Sequence, residues 1–319
     1  MMIFDGHADL LYDVTKWRQA GEKRVLERRH LPRLRAGQIG GLGLSLWTTA
    51  ELDTIWAAHP DWDGWRRTEE MMARAQEELA ECPWIALVRT AAEARKAQAE
   101  GKLFAFLSVE GMEPVGGRLE RLEQYVQWGV RMGMLTWNEE NLLACGASGD
   151  PDKGLTELGR EAVRLMRRLG MVVDVSHTSD RSFWDIMKLA DGPVIASHSN
   201  CRALCDVRRN LTDEQLHIIR DTGGVVGVNV SHDFVHKESQ MQTAAMLARH
   251  AAHMAEVMGP EHVACGFDFC EYFGPGYEGC GGMEDCGQAQ NFFFELERIG
   301  FSEAERQAIA SENLLRVLE

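Results

Sequence analysis

Eight short apolar runs, separated by stretches of helical periodicity, constrain what this chain can fold into more than any other feature. They occupy residues 3–11, 42–48, 104–110, 133–137, 171–177, 194–198, 225–231 and 263–269. Each is apolar on both faces and closes in polar residues, the pattern of a strand in a parallel sheet covered by helices. Between them, residues 62–80, 91–100, 118–128, 157–169, 182–189, 213–221 and 243–258 read as helices. Thr156 before ELGREAVRLMRRLG, which ends at Gly170, and Thr212 before DEQLHIIRDTGG supply capping signals. Strand and helix alternating eight times predicts an α/β fold, a (β/α)8 barrel. A single domain over residues 1–319 is expected, because such barrels reach this length as one unit. A doubly wound sheet shares the alternation but usually carries a glycine fingerprint after its first strand, and DGHADL is not one.

Active sites of such barrels lie at the C-terminal ends of the strands. His7 and Asp9 in IFDGHADLL, Glu110 in FAFLSVEG, His177 in MVVDVSH and His198 in PVIASHS all fall at such ends, so they are expected to meet in space. Residues i and i+2 of a strand share a face, which allows His7 and Asp9 to bind one cation together. These nitrogen and oxygen donors suit Zn2+ or a similar divalent ion, and five of them exceed one tetrahedral site. A two-metal site bridged by Glu110 uses them all. His232 and His236 read as loop histidines, and His250 and His253 as surface residues of a helix. The glycine-rich segment 274–287 follows the eighth run and reads either as a wall of the site or as a plain surface loop. Trp47, Trp56, Trp62 and Trp65 cluster near the loop after the second run, as core packing or as pocket wall.

Charge narrows the partners. The 34 basic and 49 acidic residues leave a formal charge of -15, which disfavours nucleic acid and anionic membranes, since both need a basic footprint. No signal-peptide pattern precedes the first run, and no apolar stretch approaches the roughly 18 residues of a membrane span. A cytoplasmic location without membrane contact is therefore expected. The eight cysteines form no CxxC pair, and mostly free thiols are expected.

Several segments, in order, carry a resemblance: DGHADL, RRHLPRLRAGQIGG, SVEGMEP, LTWNEENLLACGA, GLTELGREAVRLMRRLGMVVDVSH, VIASHSNCRAL, RRNLTDEQL, GGVVGVNV and SENLLRVL. Together they resemble the renal-type membrane dipeptidases, zinc dipeptidases of the amidohydrolase superfamily, over essentially the whole chain. The resemblance implies two Zn2+ ions, one held by His7, Asp9 and Glu110 and the other by Glu110, His177 and His198, with a hydroxide bridging them. It implies that Asp268, in CGFDF, takes a proton from that hydroxide and passes it to the leaving amine. It also implies that Arg209, in RRNL, pairs with the free carboxylate of a dipeptide substrate. Relatives commonly form homodimers. Each role is chemically sensible: paired cations bring a shared water toward neutrality, a carboxylate shuttles the proton, and a guanidinium grips a carboxylate through two parallel hydrogen bonds.

The chain also departs from the family pattern. Trp137 in LTWNEEN stands where animal members have a histidine, and an indole N–H donates one hydrogen bond but carries no charge. Trp137 and Asn138 are expected to contact substrate, with Asn141 as a further donor. Cys270 and Glu271 follow Phe269 where the family usually has a second acid and a glycine, and Val230 and Ser231 stand where relatives often place an aromatic residue. Three readings result: a dipeptidase for substrates with a free C-terminal carboxylate, a metallohydrolase for another small amide or lactam, and a catalytically silent relative. Retention of the full polar set argues against the third. The direction of Arg209 divides the first two.

Overall fold

The computed structural model describes residues 1–48 and 55–319. Among the described residues nine strands form one sheet: β1 (Ile3–Ala8), β2 (Ile39–Trp47), β3 (Ile85–Leu87), β4 (Leu103–Glu110), β5 (Val130–Met134), β6 (Val172–Asp174), β7 (Val194–Ile195), β8 (Val226–Val228) and β9 (Val263–Cys265). All pairings are parallel, and the order is β7-β6-β5-β4-β2-β1-β9-β8. A parallel bridge between Ala196, just past β7, and Val226 of β8 joins the two ends of that order. The result is a (β/α)8 barrel.

Each of the eight apolar runs overlaps one barrel strand, but β5 lies three residues earlier than its run and β6 to β9 are shorter than theirs. β3 was not legible: with three residues, one of them exposed, it has no period to read, and it pairs only with the first residues of β4. The first strand ends at Ala8, not Leu11, because the helix Leu10–Gln19 starts at once behind Asp9. The expected caps form. Thr156 accepts from the Gly159 amide ahead of the helix Glu157–Arg168, and Thr212 builds a reciprocal capping box with Gln215 ahead of Asp213–Asp221. All eight cysteines are free. Among the described residues no helix is long and apolar enough to cross a membrane.

Residues 104, 106, 108 and 110 share one face of β4. Phe104 and Phe106 are fully buried and pack against Phe4 at ring distances of 5.0 and 5.6 Å, closing one end of the barrel with aromatic carbon. Two and four residues further along the strand, the same face delivers Ser108 and then Glu110 to the opposite end. The strands approach closely there. A side chain on Gly266 would sit 1.5 Å from the Ser197 carbonyl oxygen, so only glycine lets β9 pass the loop that carries His198.

His250 is fully buried, contrary to its reading as a surface residue. Its Nδ1 accepts from the Cys201 amide at 3.1 Å and its Nε2 faces the Val235 carbonyl at 2.8 Å, so one neutral imidazole ties the Cys201 loop and the short helix His232–Val235 to the helix Ala244–Met258. The helical spacing gave no hint of this, because the partners come from loops distant in sequence. Burial lowers its pKa from 6.5 to about 4. The unfolded chain therefore binds a proton between pH 6.5 and 4 that the folded chain refuses, so stability is lost as pH falls through this window. The difference is worth roughly 3 kcal/mol when complete. Urea unfolding from pH 7 to 4.5 should show this slope, and His250→Gln should flatten it; equal slopes in both proteins would remove His250 as its source.

Candidate metal centre

The five strand-end residues converge. His7 Nε2 lies 3.5 Å from Asp9 Oδ2 and 3.3 Å from Glu110 Oε2. Glu110 Oε1 lies 2.7 Å from His177 Nε2 and 3.6 Å from His198 Nε2, so one carboxylate reaches three imidazoles. The His7 and His198 rings stack at 3.9 Å. All five side chains are buried. Register explains part of this: β1 slips against β2 between Asp5 and Ala8, around His7, and such irregularities re-aim side chains at barrel rims.

Donor atoms of His7, Glu110 and His198 lie within 4.8 Å of one another, as do those of His7, Asp9 and Asp268. His7 thus belongs to both groups, and Asp268 joins Asp9, a grouping different in detail from the one the family resemblance implies. Both ring nitrogens of His7, Asp9 Oδ1 and Glu110 Oε2 are buried without a hydrogen-bond partner. Four orphaned donor atoms in a space of a few ångströms are costly unless a cation satisfies them. The donor set therefore fits divalent ions.

With no cation beside them, the buried carboxylates of this cluster draw protons instead. Burial, with Asp9 adding repulsion, raises Glu110 above the usual carboxylate range, and burial raises Asp268 against the pull of His7. Burial would lower His7, yet Glu110 and Asp9 outweigh it and hold His7 well above its ordinary value. Burial and nearby cations push His177 and His198 well below theirs, which keeps these imidazoles neutral and able to ligate.

Polar groups behind the imidazoles fix their direction. Asn138 Oδ1 is 2.9 Å from His177 Nδ1, and Ser197 Oγ is 2.8 Å from His198 Nδ1, leaving each Nε2 turned to the cluster. Asn138, expected to face substrate, instead faces His177. Asn141 is taken up by the backbone of its own loop: it donates to the Leu135 carbonyl and accepts from the Leu143 and Ala144 amides. Trp137 stands between Trp47 and His177, at ring distances of 5.5 and 6.3 Å. Of the four clustered tryptophans, Trp47 reaches this rim, whereas Trp56 packs on Trp62 and Trp65 on Tyr125 and Trp128.

Arg209 is buried and turned inward. Its Nη2 lies 3.0 Å from His177 Nε2 and donates to the His198 carbonyl, and its Nη1 donates to the Ser176 carbonyl. Its guanidinium lies over the Phe234 ring at 5.3 Å.

Comparison with known proteins agrees with this geometry. The sequence pattern of membrane dipeptidases, Peptidase family M19, matches residues 1–319. The chain belongs to the membrane dipeptidase family. An uncharacterized dipeptidase of Schizosaccharomyces pombe is 38% identical over 223 residues, 68% of this chain and 53% of that protein, so the chain spans about half the length of this relative. Among solved structures, a metallo peptidase from Rhodobacter sphaeroides liganded with a phosphinate mimic of the dipeptide L-Ala-D-Ala has 25% identity and a TM-score of 0.88, covering 100% of this chain and 98% of the other. The dipeptidase AC, a metallo peptidase of family M19, has 26% identity and a TM-score of 0.87 at 100% and 98% coverage.

In this member of the membrane dipeptidase family, Asp268 adopts φ +59, a left-handed backbone that few non-glycine residues take and that asparagine and aspartate tolerate better than most. Asn229 Nδ2 donates to Asp268 Oδ2 at 3.1 Å, and the Cys270 thiol donates to Oδ1 at 3.4 Å. Sequence reasoning missed Asn229 and Ser197. Asn229 closes the apolar run GGVVGVN as the ligands close theirs, a signal that could have found it. Cys270, where the family usually has an acid, keeps a weak donor on Asp268. The glycine-rich loop is a wall of the site: Gly276, Tyr277, Glu278 and Gly279 line a cavity of about 260 Å3 together with Asp268, Cys270 and residues 230–234.

Proposed function

We propose that the chain is a binuclear metallo-dipeptidase for short substrates with a free C-terminal carboxylate. The observation that carries this reading is the convergence of His7, Asp9, Glu110, His177 and His198, with Asp268 at 3.9 Å from His7 and Arg209 at 3.0 Å from His177. Bound at these residues, a pair of divalent ions would supply a nucleophilic water at neutral pH and polarise the scissile carbonyl. The chain's own groups do the rest. Asp268 accepts a proton from the attacking water and returns it to the leaving amine, its carboxylate held in place by Asn229 and Cys270. Arg209 leaves its local acceptors to pair with the substrate carboxylate, an exchange favoured because an anion in a buried site binds a guanidinium more strongly than a neutral carbonyl does. Asn138 and Ser197 hold His177 and His198 in the ligating tautomer, and Trp137 and Trp47 form an apolar rim beside them.

The L-Ala-D-Ala mimic bound by the Rhodobacter protein supports acceptance of a D-residue at the C-terminal position as well as an L-residue. Zinc as the native ion, a cytoplasmic location and pairing of chains are proposed with this function, the first and third on family likeness and the second on the sequence. Hydrolysis of another small amide is the second reading; the uncharged Trp137 beside His177 favours it.

Metal content measured together with turnover of L-Ala-L-Ala, L-Ala-D-Ala and their C-terminal amides tests the proposal. About two ions per chain, cleavage of the free acids and silence on the amides are expected. Arg209→Ala should raise KM for the acids by roughly 10²-fold, the scale of a lost charge-assisted pair. A KM for the acids left unchanged in Arg209→Ala would remove Arg209 from this role, and two metals with no dipeptide cleaved would favour the second reading.

A further inference from the structure

The cavity beside Asp268 has a composition of its own. Its wall is formed by Val230, Phe234 and Tyr277, and its rim by His232, Asp233 and Glu278; no lysine or arginine lines it. Asp233 and Glu278 are exposed, whereas Val230 is buried and Phe234 half-buried, so the carboxylates ring an apolar floor. Asp233 Oδ1 lies 3.0 Å from His232 Nδ1, and Glu278 Oε2 accepts from the Gly276 amide at 2.8 Å, which fixes the loop but leaves Glu278 its charge.

The proposed chemistry says which part of a dipeptide this cavity meets. Asp268 returns a proton to the leaving amine, which belongs to the C-terminal residue. Arg209 holds the carboxylate of that same residue and lies against Phe234. Both backbone groups of the C-terminal residue are therefore addressed by side chains that line the cavity or pack on its wall. Its side chain has this space to enter. An aliphatic stem suits Val230 and Phe234, and a terminal cation suits two carboxylates and the face of Tyr277. A carboxylate side chain would meet Asp233 and Glu278 there as like charge.

Resting on the dipeptidase reading, we propose that this cavity is a side-chain subsite selecting dipeptides with a basic C-terminal residue, with Glu278 and Asp233 as its specificity-determining groups.

The test compares kcat/KM for Ala-Lys, Ala-norleucine and Ala-Glu in both C-terminal configurations, with Ala-Ala as reference. The carboxylates are exposed, so a preference of about fivefold for lysine over norleucine is expected, with glutamate poorest. In the Asp233→Asn/Glu278→Gln double variant the lysine to norleucine ratio should fall toward one, and Glu278→Lys should invert the order of lysine and glutamate. Both positions are on the surface, and glutamine retains the acceptor for the Gly276 amide. A ratio near one in the parent enzyme, or a ratio kept by the double variant, overturns the subsite while leaving the dipeptidase reading intact. Failure to cleave any of these peptides, Ala-Ala included, overturns both.

Discussion

Replacing Glu110 with glutamine should empty the centre of metal and lower kcat/KM by at least about 10³-fold. Glu110 lies against His7, His177 and His198 together, at 3.3, 2.7 and 3.6 Å. A glutamine of the same shape keeps the packing of β4 but loses the negative charge and the second acceptor oxygen that a bridging position requires. Two consequences distinguish this from simple unfolding. Metal per chain, measured after dialysis, should fall well below that of the parent, while the far-ultraviolet circular dichroism stays the same, because Phe104 and Phe106 below the site are untouched. A variant that retains about two ions would show that Glu110 does not bridge.

Asp268→Asn should do the opposite to the metal and nearly the same to the rate. The five proposed ligands remain, so metal content is expected to be unchanged, yet kcat should fall about 10²- to 10⁴-fold, the usual contribution of a positioned proton acceptor. Asparagine can adopt the φ of +59 found at this position, so the backbone is not forced to move. It cannot take a proton, and its amide nitrogen would face the Asn229 donor or the Cys270 thiol. KM should change little if Asp268 acts only in the chemical step. Full activity in a metal-replete Asp268→Asn protein would remove it as the base.

The contrast between these two positions shows how much the sequence revealed. The metal cluster was legible because a parallel barrel makes all its strand ends point one way: once eight runs are recognised, residues as distant as His7 and His198 must meet. The barrel itself was legible for the same reason, since long helices and two-sided apolar strands leave few other layers. What lay behind the imidazoles was not. Asn138 sits on a loop whose path no periodicity describes, and its hydrogen bond to His177 depends on a turn held by Asn141. His250 had the spacing of a surface residue and proved to be a buried strut, since loops that cover a helix leave no trace in the helix's own pattern. β3 was invisible because an edge segment of three residues carries too little signal.

The seam of the barrel runs beside its chemistry. Ring closure between β7 and β8 rests on the Ala196–Val226 bridge, and His198 stands two residues beyond it, while Glu110 and His7 belong to the far wall. A cation gripped from both sides would work as a cross-tie over this closing seam. The joint that closes the ring would then owe part of its strength to the cargo it surrounds, so that taking up metal and locking the wall become a single event.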